Sequence, residues 1–134
     1  MERFSLLLAF ICLLVGSQAS AKSTNYVFTG ADMYESCTHA LNGLNKTGAY
    51  DDHRFGVCAG YVAGIVDFHT VVTTVEAIPD DMFCLPENIT TAQVIRVVTK
   101  YLENNPEKHH DLAGYLVVLA LRESYPCTEQ MPKE

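Results

Sequence analysis

Apolar residues recur at three- and four-residue intervals along most of the chain beyond position 31, and each such run is bounded by glycine, proline or asparagine. That period marks amphipathic helices. In "ADMYESCTHALNGL", Met33 or Tyr34, Cys37, Ala40 or Leu41 and Leu44 share one face, and Asn42-Gly43 is the predicted end. A second helix is predicted over residues 52 to 77, with Phe55, Cys58, Val62, Ile65, His69 and Val72 on a continuous stripe. Asp51-Asp52 at its start complement the helix dipole. Gly56, Gly60 and Gly64 recur every fourth residue on a neighbouring face. Each costs about 1 kcal/mol against alanine, which predicts a compensating close approach by another helix.

The third helix follows a Pro79- and Pro86-containing turn and opens with a capping box, in which Thr90 caps and Gln93 reaches back. Val94, Val97, Val98, Tyr101 and Leu102 form its inner face. It stops at Asn104-Asn105, and Pro106 is expected to open a fourth helix capped by Asn105, with Leu112, Leu116, Leu119 and Ala120 inward and Tyr125-Pro126 as its end. Residues 22 to 31 read as a flexible lead-in. The pattern specifies an all-α, compact four-helix domain.

The first residues change the compartment. "MERFSLLLAFICLLVGSQASAKS" places a basic Arg3 before an apolar run too short to span a bilayer and ends in Ala19-Ser20-Ala21, the pattern of a cleavable secretory signal. Residues 1–21 are therefore expected to be removed, leaving one domain of 134 − 21 = 113 residues, 22–134. No other apolar run reads as an anchor. Cleavage takes away Glu2 and Arg3 together, so the net charge stays at −7. Such a chain lacks the clustered cations that nucleic acid requires, whereas a basic protein partner fits it.

Cleavage also removes Cys12 and leaves Cys37, Cys58, Cys84 and Cys127. An even number of cysteines in a small exported domain predicts two disulfides, with three possible pairings. No Cys-x-x-Cys or nearby histidine pair points to zinc. Antiparallel third and fourth helices bring Cys84 towards Cys127, and the short loop between the first two favours Cys37 with Cys58.

Cys58, Asp67 and His69 are residue types of a hydrolytic centre, but Cys58 and His69 lie about 16 Å apart on one helix, too far for a nucleophile and its base. His69 reads as a hydrogen-bonded core or interface histidine, and Asp67 as a cap or a partner of Arg96 or Arg122. Adjacent helical residues point about 100° apart, so His109 and His110 make a poor metal chelate. The sequons at Asn45 and Asn88 bear only on a eukaryotic secretory pathway and read as chance. No metal, cofactor or enzymatic activity is expected. The acidic loops offer a protein-contact surface instead: Asp51 and Asp52 at one place, Glu76, Asp80, Asp81 and Met82 at another.

The segments "CAGYVAGIVD", "FCLPENITTAQ", "VVTKYLENNPEKHH" and "LALRESYPC" together resemble the Rap/Tai family of periplasmic immunity proteins, which protect bacteria against type VI secretion amidase effectors. The resemblance runs through the four cysteines and through Gly60, Tyr61, Gly64, Asp67, Pro86, Thr90, Gln93 and Pro106, residues that identify the fold better than the contact surface. It implies a helical homodimer that occludes the cleft of an injected peptidoglycan amidase, a papain-like cysteine enzyme cutting between D-glutamate and diaminopimelate. A competing expectation is a periplasmic acid-stress chaperone, distinguished by promiscuous client binding that begins on acidification. An orphan envelope adaptor predicts neither behaviour.

Overall fold

A computed structural model describes residues 27–77 and 82–127. Four helices follow one another: α1 (Gly30–Asn45), α2 (Asp52–Thr74), α3 (Thr91–Asn104) and α4 (Ala113–Ser124), with a single 3-10 turn at Pro106–Lys108. Helix α1 packs on both α2 and α3, and α4 lies along α3. Their apolar stripes meet in one core in which Met33, Cys37, Cys58, Val98, Leu102, Leu116 and Leu121 are buried.

Local chemistry explains where each helix begins. Thr29 and Asp32 form a reciprocal capping box at α1, and Thr90 and Gln93 form the expected one at α3. Asp51 caps α2 through a 2.8 Å bond from the Arg54 amide. Helix α1 runs two residues past Gly43, to where Lys46 takes a left-handed conformation and its amide returns to the carbonyls of Asn42 and Gly43. Helix α2 ends at Thr74, three residues earlier than the spacing suggested.

Both disulfides join the partners expected from the antiparallel layout, Cys37 to Cys58 and Cys84 to Cys127. The first is buried at the α1–α2 contact and the second lies exposed beside the end of α4.

Pro106 does not open the fourth helix. It starts only the 3-10 turn, and the Asn105 side chain forms no cap; it donates to the Tyr101 carbonyl and accepts from Lys108 Nζ at 2.8 and 2.7 Å. The carbonyls of the next turn are claimed from far along the chain, Gly30 N–H donating to Asp111 O and Ala31 N–H to His109 O, both at 2.9 Å. Phe28 O receives the Ala113 amide, so the stretch expected as the end of a flexible lead-in is a strap pinned across the start of α4. Leu116 and Ala120 are buried as expected and Leu119 packs against the core, but Leu112 becomes the N-cap and is 54% exposed, and Ala113, Val117 and Leu121 join the buried face.

At the strap Gly30 is irreplaceable on steric grounds. A Cβ there would overlap Leu116 Cδ1 and lie 3.0 Å from the His109 Cα, a backbone atom that cannot step aside. Gly30→Ala is expected to lower stability by about 1–3 kcal/mol through overpacking. A urea midpoint equal to that of the wild type would show that the strap yields.

The glycine stripe of α2 departs from expectation. Among the described residues nothing lies within 4 Å of a Cβ built on Gly56, Gly60 or Gly64, so none of the other three helices comes close there. Close approach occurs instead at Gly114 of α4, where a Cβ would meet the Tyr61 hydroxyl at 3.2 Å. Tyr61 also packs its ring on Phe28, with centroids 5.0 Å apart. Helix α2 is, moreover, long and apolar enough by composition to cross a membrane, contrary to the sequence-based expectation, with a mean hydropathy of 1.5 over its most apolar 18 residues. Its other side is fixed into the domain by Cys58 through its disulfide and by the buried Val62 and His69, with Phe55, Tyr61 and Ile65 packed against the core beside them.

Candidate functional site

Two acidic loops were the expected contact surfaces, and they sit at opposite ends of α2. At 1.5 Å per residue, Asp52 and Thr74 are separated by about 33 Å, so the two loops cannot both lie at the centre of one interface. At the first end both carboxylates have structural work. Asp51 caps the helix, and the bound Arg54 amide holds its carboxyl below the usual carboxylate range. Asp52 accepts a hydrogen bond from the Tyr50 hydroxyl, which pushes ionisation of that phenol up. Tyr50 itself folds over Gly43 and meets Phe55 edge-on at 6.2 Å.

At the other end Glu76 is exposed with a left-handed backbone, φ 52°. Met82 is partly buried and packs against the core. Asp80 and Asp81 lie outside the described residues. Beyond Met82 the chain turns inward: Phe83 is wholly buried and stacks on His69, with ring centroids 4.0 Å apart and planes inclined by 21°. The Ile89 amide donates to Pro86 O and closes the turn that delivers Thr90 to its capping position.

The chemistry-bearing residues do not assemble. All four described cysteines are in disulfides, and no grouping of three His, Cys, Asp or Glu among the described residues could hold a metal ion. His109 turns its Nε2 to the Leu102 carbonyl at 2.9 Å, whereas His110 is solvent-facing beside Asp111. His69 is buried as expected, but its Nε2 has no hydrogen-bond partner among the described residues, and its ring is held by stacking on Phe83 instead. Asp67, expected to cap or to pair with Arg96 or Arg122, does neither among the described residues; Arg96 bonds Asn45 instead at 2.8 Å.

What sequence reasoning missed is the outer side of α2. Phe68, Val71 and Val75 are 62%, 57% and 64% exposed, next to the uncovered glycines. The signal was present in the chain: these apolar residues recur at three- and four-residue spacing, but on the face opposite the one assigned to the core.

The profile of the Rap1a immunity proteins matches residues 29–127. The chain belongs to the Rap1a immunity protein family. The match begins at Thr29, the cap of α1, and ends at Cys127, so the family domain contains all four helices and both disulfides. No curated protein shows significant similarity to the chain. Membership in an immunity family implies binding of a partner effector, and together with two disulfides it points to an extracellular or periplasmic protein.

Proposed function

We propose that the protein is a periplasmic immunity protein that binds a type VI secretion peptidoglycan amidase and occludes its cleft, sparing the wall of the cell that makes it. The observation that carries this reading is the family match over the whole helical domain. The oxidised cysteines support a role in binding rather than catalysis, because a thiol tied in a disulfide is no nucleophile. Export follows from the signal-like residues 1–21, cleaved near Ala21, and the target is a papain-like cysteine amidase. Inhibition then needs only a buried interface of about 800 Å² per partner with a few central anchors.

The reading is tested by titrating the purified, oxidised mature protein against the type VI amidase encoded beside its gene, following complex formation and muropeptide cleavage. Cleavage is expected to fall to zero at stoichiometric inhibitor. Full cleavage in the presence of excess protein would refute the proposal. Light scattering on the same samples reports whether the free protein is the homodimer that the resemblance implies.

A further inference from the structure

A cleft of about 360 Å³ opens between the strap and the first turns of α1 and α2. Phe28 and Val57 supply its apolar lining, and Asp32, Glu35 and Asp51 bring three carboxylates to it. Arg54 is the one lysine or arginine in the lining, and it pairs with Glu35 at 2.8 Å. With histidine counted as neutral, three carboxylates against one guanidinium leave the cleft negative.

The fold holds these carboxylates in place and uses only half of each. Asp32 Oδ2 accepts from the Thr29 amide and hydroxyl at 2.9 and 2.7 Å, Asp51 Oδ1 accepts from the Arg54 amide at 2.8 Å, and Glu35 meets Arg54 through Oε2. The second oxygen of each has no hydrogen bond among the described residues. Two of the three charges are therefore fixed by helix capping before any ligand arrives, which lowers the ordering cost of binding.

Ser36 points to a ligand independently of the charges. It is only 4% exposed, yet it lines the cleft, and its hydroxyl bonds nothing among the described residues. A hydroxyl on so buried a residue normally has a partner. The open side from which one can reach it is the cleft.

The spread of the groups selects the ligand. Among the described residues no three acidic or histidine side chains converge to hold a metal ion, so a point charge is poorly matched. A guanidinium is planar, carries five N–H donors in a fork, stays charged, and trails an apolar stem. We infer that this cleft seats an arginine of the effector, with the guanidinium donating to the free carboxylate oxygens and to the Ser36 hydroxyl and the stem lying along Phe28 and Val57. The inference rests on the immunity reading. It also fits the net charge of −7, which favours a basic partner.

The test uses the oxidised mature protein and the same amidase. Glu35→Lys is expected to weaken binding on the order of 100-fold and Ser36→Ala about tenfold, with no change for Glu103→Lys, an equal charge reversal on α3 outside the cleft. Because the hydroxyl it removes has no partner, Ser36→Ala should melt no lower than the wild type. Phenylglyoxal, which modifies arginine, gives a second readout: one arginine of the amidase should be protected in the wild-type complex and labelled in the presence of saturating Glu35→Lys. Wild-type binding that Glu35→Lys or Ser36→Ala leaves intact, an equal loss in Glu103→Lys, or a complex in which no amidase arginine is protected overturns this inference and leaves the immunity reading standing. A dimer of the free protein that Glu35→Lys dissolves overturns it by giving the cleft to a second copy. No binding by the wild type overturns the immunity reading, and this inference with it.

Discussion

Phe83→Ala is expected to lower stability by about 3–5 kcal/mol, read as a reduced urea midpoint at unchanged slope. Phe83 belongs to no helix, yet it is fully buried, and its ring lies flat on the His69 ring. It is held there from the C-terminal side: the neighbouring Cys84 donates its amide to the Tyr125 carbonyl at 2.9 Å and is bridged to Cys127. Truncation therefore opens a cavity between α2 and the turn that precedes α3, and the fixed Cys84 side limits how far that cavity can collapse. It also strips the cover from an imidazole whose Nε2 has no hydrogen-bond partner among the described residues. A loss below about 1 kcal/mol would mean that the site collapses freely.

Removing the disulfides separately should give unequal results. Chain entropy alone assigns about 3 kcal/mol to the bridge spanning 21 residues and about 4 kcal/mol to the one spanning 43. Packing reverses that order. Cys37 and Cys58 are wholly buried, so Cys37→Ala/Cys58→Ala also removes two sulfurs from the core, whereas Cys84→Ala/Cys127→Ala removes two exposed ones. The first pair of substitutions is expected to be the more damaging, at about 5 kcal/mol against about 4 kcal/mol. Exposure also sets the order of reduction in the folded protein. Mild reductant followed by alkylation should label Cys84 and Cys127 first, and preferential labelling of Cys37 and Cys58 would contradict the burial argument.

The helices were legible because their signals are local. Thr90 with Gln93 caps whatever the rest of the chain does, and the three- and four-residue recurrence of Cys58, Val62 and His69 marks the face that is buried. Disulfide pairing was legible at one remove, because antiparallel neighbours bring only certain cysteines together. The start of α4 was not. Pro106 is a sound local signal for a first helical turn, but the competing hydrogen bonds come from Gly30 and Ala31, nearly eighty residues away. The part that Asp51 and Asp52 play in the fold was hidden for a related reason: both are exposed, and the Arg54 amide and the Tyr50 hydroxyl that bind them come into place only in the folded chain. The glycines of α2 illustrate a different limit: their spacing signals that something is to lie close by, and the pattern is the same whether that neighbour belongs to this chain or to another.

The order of the two bridges along the chain has its own consequence. Cys37 joins Cys58 and Cys84 joins Cys127, so the closed loops are consecutive and neither encloses nor crosses the other. In a chain that emerges from its N-terminus, each of these thiols in turn meets its native partner as the next one to appear, and none has to be held in reserve while another passes. The first half can be locked before the second exists. Correct oxidation of these four residues is thus written into their sequence order, and reshuffling is not a topological requirement of this fold.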